Sequence, residues 1–303
     1  MKELPLKLLE MPLLAVAPRR IVSLVPSITD SIYDLGAGDR LVGITDYCRH
    51  PQAEEDRLPR VGGTKSPDVA SIVKLTPDLV LANKEENDRQ SVETLVEAGL
   101  AVWLTFPQTV EQAMDVLWGL VNILRIPESA ARLENLQISL DWTAMAGLAG
   151  IAPRVFCPIW QDEHPQAGLW WMTFNRHTYC HDLLAHCGGE SVFANRERRI
   201  PLEADLGLEK AEASHVEDTR YPCVTAEEVA KTAPEVIFLP SEPFAFDEHD
   251  TERVKAALAD TPAVRAGRVH LIDGSLITWH GTRLAQALAE LPAYLQAQSG
   301  VEV

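Results

Sequence analysis

The stretch from Ile126 to Gly150 constrains the fold more than any other, because it predicts one long helix near the middle of the chain. Pro127 stands at a favourable first helical position, and Gly147 and Gly150 are typical of a helix end. Apolar residues follow at spacings of three and four: Leu133, Leu136, Leu140, Ala144 and Leu148. Such a helix spans about 35 Å, the width of a small domain. It is either a connector between two lobes or a surface helix of one domain.

Both flanks of this helix alternate buried-type strands with helices, which predicts parallel sheets covered by helices. On the N-terminal side, the predicted strands are Arg20–Val25, Leu41–Ile44, Pro77–Ala82 and Val102–Leu104. On the C-terminal side they are Arg154–Ile159, Val236–Leu239 and Val269–Ile272. The helices predicted between and after them are Pro26–Gly36, Asp68–Leu75, Asn87–Ala98, Val110–Leu124, Tyr179–Cys187, Val224–Thr232, Thr251–Ala259 and Gly281–Gln298.

A short internal repeat relates the two flanks. The residues 72–74 (IVK) before Pro77 correspond to the residues 229–231 (VAK) before Pro234, and an acidic residue and an apolar strand follow each proline. The repeat favours the connector interpretation. We therefore expect an α/β protein of two similar lobes with mainly parallel sheets, with an N-terminal lobe at 1–125, a backbone helix at 126–150 and a C-terminal lobe at 151–303. A ligand cleft is expected between the lobes.

Composition excludes several functions. The chain has 27 Lys and Arg against 44 Asp and Glu, a net charge of −17, which argues against nucleic acid or an anionic membrane as the main partner. No apolar run is long enough to span a membrane. Five cysteines at irregular spacing indicate no disulfide framework. The N-terminus lacks the apolar core of a signal peptide, so the compartment is left open between the cytoplasm and export with a removed leader.

No catalytic motif is present, neither a nucleophile elbow, nor a phosphate loop, nor a zinc-protease helix. His177, Cys180 and His181 would share one helical face, which is a possible beginning of a metal site. Such residues are also common on the half-buried edge of an amphipathic helix. We therefore predict no metal site and no intrinsic cofactor.

Aromatic residues are concentrated in the second half, and most follow predicted strands: Trp160, Trp170, Trp171, Phe174, Phe244, Phe246 and Trp279. Loops beyond the carboxyl ends of strands bind ligands in open α/β sheets, so these rings would either stack on a flat ligand or anchor the loops to the core. The residues 161–166 (QDEHPQ) predict a solvated loop or a mobile flap. Ser27 and Thr29 would cap the helix that follows the first strand.

Several long segments resemble the helical-backbone substrate-binding proteins of ABC importers. They are RIVSLVPSITDSIYDLGAGDRLVGITDYC, PRVGG and LTPDLVLAN in the first half, and AHCGGESVFA, YPCVTAEEVAKTAPEVIFL and VHLIDGSLITWHGTR in the second. The resemblance implies two lobes joined by a rigid helix, and a ligand such as cobalamin, a ferric siderophore, haem or a metal ion. It also implies a location in the periplasm or on the cell surface.

Within this family the first half is most similar to the corrinoid-binding members. Tyr47 matches a tyrosine that lines their corrin pocket, whereas Thr64 and Asn83 stand where tryptophans are found. Family members dock onto the permease through one glutamate on each lobe. Glu227 matches the docking residue of the second lobe, but its counterpart in the first is Ala70.

The resemblance therefore implies a non-enzymatic, monomeric binder of a corrinoid, working with a permease and its ATPase. Ferric siderophore, haem or a metal ion are alternative ligands of the same fold. A lower alternative is an enzyme that uses Glu85, Glu242, His280 or Cys48. The expected ligand-binding residues are Ser27, Thr29, Tyr47, Thr64, Asn83, Trp160, Trp170, Trp171, Arg176, Phe244, Trp279, His280 and Arg283.

Overall fold

The computed structural model describes residues 10–49, 57–147, 150–210 and 218–296. The chain forms two compact units. The first comprises Met1–Gln137 together with Trp279–Leu284, and the second comprises Ile138–Thr278 together with Ala285–Val303. We call Trp279–Leu284 the return segment, because it follows the last strand of the second unit yet packs within the first. No pattern in the sequence predicts this return.

The first unit contains a parallel four-stranded sheet in the order β2-β1-β3-β4. Its strands are β1 (Ile21–Ser23), β2 (Leu41–Ile44), β3 (Leu79–Asn83) and β4 (Val102–Thr105), and its helices are α1 (Pro26–Asp34), α2 (Val69–Lys74), α3 (Arg89–Glu97) and α4 (Val110–Leu124). β1 and β3 are buried along their whole length, as strands covered by helices on both faces must be.

The second unit repeats this sheet in the order β11-β10-β5-β8, again parallel. Its strands are β5 (Arg154–Phe156), β8 (Glu190–Ser191), β10 (Val236–Pro240) and β11 (Val269–Ile272). The helices after α4 are α5 (Ala130–Gly147), α6 (Tyr179–His186), α7 (Leu202–Asp205), α8 (Ala226–Thr232), α9 (Glu248–Ala257), α10 (Pro262–Arg265), α11 (Ser275–Thr278) and α12 (Leu284–Leu295). In each sheet the first strand of the unit lies between the second and the third, which confirms the prediction of two similar α/β lobes.

Short polar side chains begin many of these helices. A carboxylate or hydroxyl oxygen accepts a hydrogen bond from the backbone three residues on, which satisfies an N–H group that has no partner inside the helix. These capping residues are Asp68, Asp88, Thr109, Thr178, Thr225 and Asp247. Local sequence therefore fixes where the helices start.

An arginine and a carboxylate join α2 to β1 in the first unit. The carboxylate of Asp78 accepts a hydrogen bond from the backbone N–H of Arg20 at 3.0 Å. The guanidinium of Arg20 donates to the carbonyl of Leu75, at the end of α2, at 2.6 Å. The chain reverses at Thr76, whose φ is +46°.

The second unit contains the same arrangement between α8 and β5. The carboxylate of Glu235 accepts a hydrogen bond from the backbone N–H of Arg154 at 2.9 Å, and the guanidinium of Arg154 donates to the carbonyl of Ala233 at 3.0 Å. Ala233 has a φ of +48°, so it takes the left-handed conformation that Thr76 takes in the first unit. The internal repeat seen in the sequence is thus a repeat of hydrogen bonds and backbone conformation.

The predicted loop at 161–166 is wrong. Trp160–His164 forms strand β6, which pairs antiparallel with β7 (Gly168–Met172), and β7 pairs antiparallel with β9 (Cys223–Thr225). The buried position of β6 is Gln161, whose amide donates to Asp250 at 2.6 Å and whose oxygen accepts from the indole N–H of Trp171 at 2.9 Å. A buried glutamine breaks the apolar alternation by which strands are recognised in a sequence.

Some predicted helix bounds also need correction. The long helix predicted from Ile126 begins as a 3-10 turn at Pro127–Ser129 and continues as α5 to Gly147, and residues 148–149 lie outside the described residues. α8 begins at Ala226 because the preceding residues form β9. The closing helix begins at Leu284 rather than Gly281, because the return segment is not helical before that residue. No helix in the described part of the chain is long and apolar enough to cross a membrane.

Substituting Trp171 by alanine tests the core of the second unit. The indole is 0% exposed, packs edge-on against Phe156, and satisfies the buried amide of Gln161. We expect Trp171→Ala to lower the free energy of unfolding by about 3–5 kcal/mol, as measured by urea denaturation. Trp142→Ala is the matched control, because that indole is 68% exposed and its loss should cost less than about 0.5 kcal/mol. Equal losses in the two variants would contradict this account of the core.

Candidate ligand-binding site

The carboxyl ends of the parallel strands are where a sheet of this kind offers a ligand site. In the first unit, β1 leads directly into α1, and loops follow β2 and β3 at the same edge. β1 lies between β2 and β3, so the chain changes direction across the sheet at this strand. The predicted residues of the first half lie at this edge: Ser27 and Thr29 in the first turn of α1, Tyr47 and Thr64 between β2 and α2, and Asn83 at the end of β3.

Tyr47 stands exposed on a turn that hydrogen bonds hold in place. The guanidinium of Arg60 donates to the carbonyls of Thr45 and Cys48, both at 2.8 Å, and the thiol of Cys48 lies 3.3 Å from the hydroxyl of Thr45. The ring of Tyr47 passes close to Gly63, where an added Cβ would lie 3.4 Å from it. With 56% of its surface exposed, Tyr47 offers an aromatic face on a fixed support.

Asn83 does not meet the expectation of a ligand-facing side chain. It is buried, and its amide oxygen accepts hydrogen bonds from the backbone N–H of Glu85 at 2.7 Å and of Glu86 at 3.3 Å. Its amide nitrogen lies 3.3 Å from the hydroxyl of Thr105 and 3.2 Å from Nε2 of His280. The side chain shapes the turn after β3, and all of its polar capacity is used there.

Thr29 and Ser27 are also buried, in the first turn of α1. Thr29 donates to the carbonyl of Val25 at 3.1 Å and lies 3.2 Å from the thiol of Cys48, so it is a structural residue and the ligand role predicted for it is corrected. The hydroxyl of Ser27 has no hydrogen-bond partner among the described residues. Thr64 is half-buried, and its carbonyl accepts from the amide of Asn87 at 2.9 Å.

The return segment closes this edge of the first unit. The backbone N–H of Thr282 donates to the hydroxyl of Ser31 at 3.1 Å, and that hydroxyl donates to the carbonyl of Ser27 at 2.7 Å. Gly281 has a φ of +114°, and a Cβ at this position would lie 2.3 Å from the Ser31 oxygen. Only glycine fits so close to α1 in that conformation.

Two predicted residues of the return segment also contact the first unit. Arg283 lies 3.6 Å from the carboxylate of Asp30 and stacks over the ring of Trp279, with 5.8 Å from the guanidinium carbon to the ring centre. His280 is buried beside Asn83, and burial lowers the pKa of its imidazole to about 4. His280 therefore stays neutral at physiological pH.

In the second unit, the aromatic residues predicted to follow strands divide into two groups. Trp170 and Trp171 lie in β7 and are buried, so they are core residues and the ligand contacts predicted for them are corrected. Trp160 begins β6, is 45% exposed, and packs edge-on against Phe244 with ring centres 5.5 Å apart. Phe244 in turn packs on Phe246 at 4.7 Å. Trp160 and Phe244 therefore form a supported aromatic surface.

Two charged residues predicted from the sequence are exposed in the second unit. Arg176 stands before α6, and its guanidinium Nε donates to the carbonyl of Ala194 at 3.3 Å. Glu227 lies in the first turn of α8 and pairs with Lys231 at 2.6 Å. The hydrogen bond from Lys231 lowers the pKa of the Glu227 carboxyl, so this residue carries a negative charge. Ala70, its counterpart, is exposed on α2.

Sequence reasoning missed the residues that support these groups. Asn87 donates to the carbonyls of Leu24 and Thr64, and thereby connects the loops after β1 and β3. Arg60 holds the Tyr47 turn in the same manner. Asn87 and Arg60 could have been found only as polar residues that follow a buried strand or precede a glycine loop. That pattern is too common in sequences to be specific.

The described residues contain no group of three His, Cys, Asp or Glu side chains placed to hold a metal ion. Burial raises the pKa of the thiols of Cys187 and Cys223 to about 12, and raises that of Cys157 as well. These thiols stay protonated and are poor nucleophiles.

The chain is similar in sequence to known binding proteins. A sequence model of the periplasmic binding protein family matches residues 21–113. The chain is 26% identical over 224 residues to a vitamin B12-binding protein of Yersinia pestis (strain Pestoides F), a match that covers 74% of this chain and 70% of that protein. It is 27% identical over 188 residues to the vitamin B12-binding protein of Yersinia pseudotuberculosis serotype O:3 (strain YPIII), covering 62% and 64%.

Solved structures show the same fold over most of the chain. The periplasmic vitamin B12 binding protein BtuF of Vibrio cholerae superposes with a TM-score of 0.71 at 22% identity, covering 92% of this chain and 96% of that one. The periplasmic heme-binding protein RhuT from Roseiflexus sp. RS-1 superposes with a TM-score of 0.70 at 20% identity, covering 91% and 97%.

The buried imidazole of His280 predicts a dependence of stability on pH. The folded chain keeps the ring neutral down to about pH 4, whereas the unfolded chain protonates it near pH 6.5. The folded pKa is the lower of the two, so this stability is fully present above pH 6.5 and is lost as the pH falls toward 4, by about 3 kcal/mol. Urea midpoints measured from pH 7.5 to 4.5 should fall less steeply in His280→Gln than in the wild type.

The matched control is His249→Gln, because His249 is an exposed histidine of α9. Its profile should follow the wild type throughout the range. A His280→Gln profile as steep as that of the wild type would show that the acid sensitivity has another origin.

Proposed function

We propose that this chain, whose resemblance to the helical-backbone substrate-binding proteins of ABC importers is confirmed in sequence and in fold, binds a corrinoid and carries out no catalytic step. The sequence relatives described above are named as vitamin B12-binding proteins, and the family match covers residues 21–113, which include Tyr47. Binding proteins of this kind take up a small molecule and deliver it to a permease.

The observation that carries the proposal is the exposed ring of Tyr47. A large flat macrocycle is bound mainly by burial of its apolar face, and aromatic rings on rigid supports are suited to that contact. Tyr47 is fixed by Arg60 and by the close approach to Gly63, so it loses little conformational freedom when a ligand binds. Trp160, supported by Phe244, would provide a second such surface in the second unit.

Heme is the second candidate, because several proteins with this fold, including RhuT, are described as heme-binding. Its flat ring would use the same aromatic side chains. A bare metal ion is less favoured, since the described residues offer no set of three ligands. The buried, protonated cysteines also give no support to an enzyme.

Docking to a permease would use Glu227. This carboxylate is exposed on α8 and negatively charged, as an ion pair with a basic partner requires. The position of Ala70 in the first unit has no carboxylate to match it. Docking would therefore rest on the second unit alone, and would be weaker than contact through a carboxylate on each unit.

Ligand titration tests the proposed function. Cyanocobalamin, haemin and a ferric hydroxamate siderophore would be added in turn while the visible spectrum and the thermal midpoint are followed. We expect cyanocobalamin to raise the midpoint, because a ligand that binds only the folded state stabilises it. Tyr47→Ala should weaken binding about tenfold, the loss of one aromatic stacking contact.

Trp142→Ala is the control variant, since it removes another exposed aromatic ring from α5 and should leave affinity unchanged. If haemin were the only one of the three compounds to bind, heme would replace the corrinoid as the proposed ligand. No response to any of the three ligands would overturn the proposal.

A further inference from the structure

The part of α5 that belongs to the second unit exposes an apolar face to solvent. Ile138, Trp142 and Met145 are between 53% and 68% exposed, and their spacing of four and three residues places them on one side of the helix. Ile151, just after the helix, is fully exposed. Among the described residues, thirteen large apolar side chains are exposed, and these are four of them. Exposed apolar surface is therefore concentrated at this end of α5.

The same end of α5 borders an open groove with a volume of about 630 Å³. The groove lies between α5 and α12, and both helices contribute side chains from the second unit. Its lining is mainly apolar and includes Trp142 and Ala146 of α5, Ile151 and Pro153 of the following segment, and Leu288 and Pro292 of α12. The exposed face and the groove thus share Trp142 and Ile151 and form one surface.

Two glycines explain why the groove is open at its base. A Cβ on Gly147 would lie 3.0 Å from the Cα of Gly188, so the end of α5 packs directly on the backbone of the turn after α6. Gly188 has a φ of +89°, which favours glycine. Both residues line the groove and neither has a side chain to fill it.

The groove lies at the amino edge of the second sheet. Pro153 directly precedes β5, and Gly188 stands two residues before β8. The strands of this sheet are parallel, so the aromatic surface of Trp160 and Phe244, which follows the carboxyl ends of β5 and β10, belongs to the opposite edge. The groove is therefore separate from the candidate ligand surface of this unit.

The pattern of α5 indicates what fills the groove. The helix buries Leu133, Leu136 and Leu140 on one side and carries the exposed apolar face on another. A helix that is apolar on more than one side is normally covered on each, and a contiguous exposed apolar surface marks a site of interaction. A groove between two helices accepts a third, whose apolar side chains at spacings of three and four enter it. An amphipathic helix is thus the element that fits.

The charges beside the groove are mainly negative. None of the described residues that line it is a lysine or an arginine. Asp141 and Glu190, both exposed, stand next to the groove residues in the chain. The nearby Arg154 pairs with Glu235 at 3.8 Å, and Arg268 donates to the last carbonyls of α12. These two cations are thus already compensated, and a partner would meet the carboxylates.

The net charge separates the possible partners. A second copy of this chain would bring −17 against −17, and an anionic membrane would likewise be repelled. A basic partner is attracted at long range and can place its cations opposite Asp141 and Glu190. Charge and shape therefore favour the same occupant, an amphipathic helix with lysine or arginine beside its apolar face.

We propose that the groove between α5 and α12 binds a basic amphipathic helix of a partner protein. The apolar side chains of that helix cover Trp142 and Ile151, and its basic side chains face Asp141 and Glu190. This interaction goes beyond the proposed function and is independent of it, because the groove and the candidate ligand surface of the second unit lie at opposite edges of the sheet.

The test uses three synthetic peptides of about 18 residues, or about five helical turns. The first has leucine at spacings of three and four and lysine elsewhere, the second has glutamate in place of lysine, and the third has the composition of the first with its leucines spread around the helix. Dissociation constants would be measured with the full chain by the fluorescence anisotropy of labelled peptide. We expect the first peptide to bind about tenfold more tightly than either of the others, and less tightly at high salt.

Variants then locate the binding site. Trp142→Ala combined with Ile151→Ser should weaken binding of the first peptide at least about tenfold, because it removes two apolar contacts at the centre of the surface. Ala146→Lys, which places a cation in the groove, should weaken it in the same way. Val96→Ala is the matched control, since Val96 is an exposed apolar residue of α3 in the first unit, and its affinity should not change. Thermal midpoints would show that each variant is folded.

Several results would overturn the groove as the site of a basic helix. They are no binding of the first peptide, equal binding of the lysine and glutamate peptides, or binding that both groove variants retain, which would be a general attraction to the acidic surface. Sedimentation of the chain alone should give a monomer. A dimer that the double variant abolishes would assign the groove to a second copy, and binding to phosphatidylcholine vesicles that is lost in the same variant would assign it to lipid.

The peptide assay contains no ligand, so its result is separate from the ligand titration. A chain that binds cyanocobalamin but not the first peptide would keep the proposed function and lose the groove. A chain that binds the peptide through the groove but none of the three ligands would keep the groove and lose the proposed function.

Discussion

The structure depends on one arrangement that occurs twice, an arginine joined to the Pro-acid step before the third strand of each sheet. Arg20 with Asp78, and Arg154 with Glu235, connect the end of a helix to the first strand of the unit. Each contact is partly exposed and contributes only about 1–2 kcal/mol. Its main effect is on geometry. It fixes the amino ends of the first and third strands side by side, and so determines which loops meet at the carboxyl edge.

At that edge the first unit satisfies most of its own polar groups. Asn83, Asn87 and Thr29 form hydrogen bonds with the loops around them, and the return segment brings His280 against Asn83. Burying an unpaired amide or hydroxyl costs free energy, which explains why these side chains form hydrogen bonds within the unit. Tyr47 is different. Arg60 holds its turn by a hydrogen bond to the backbone, and the ring of Tyr47 itself is exposed. The first unit therefore offers a ligand an aromatic surface and few polar groups.

The sequence predicted the bounds of a regular helix such as α4 well, but it did not predict the β6–β7 hairpin or the return segment. α4 has the predicted bounds, Val110–Leu124, because its apolar spacing and its Thr109 cap agree. The β6–β7 hairpin was missed because its buried position is Gln161, which is stable there only through partners distant in sequence. The return segment was missed for a similar reason, since a turn at Gly281 looks like any helix start until the close contact with Ser31 is known. Of the candidate site, Tyr47 was predicted from the resemblance, and Trp160 and Phe244 from their places after predicted strands. Arg60 and Asn87, which hold the loops by hydrogen bonds, were not predicted.

The contacts at the edge of the first unit bear on how selective the proposed binding of a flat ligand is. Macrocyclic chelates share a flat apolar face and differ mainly in the amides, carboxylates or esters at the rim. Aromatic contact with the face is then tolerant of the compound, and discrimination has to come from polar groups that are still free to bind. The first unit has used most of its polar groups to close its own edge. Aromatic contact through Tyr47 therefore favours a class of flat ligands more than it favours one compound.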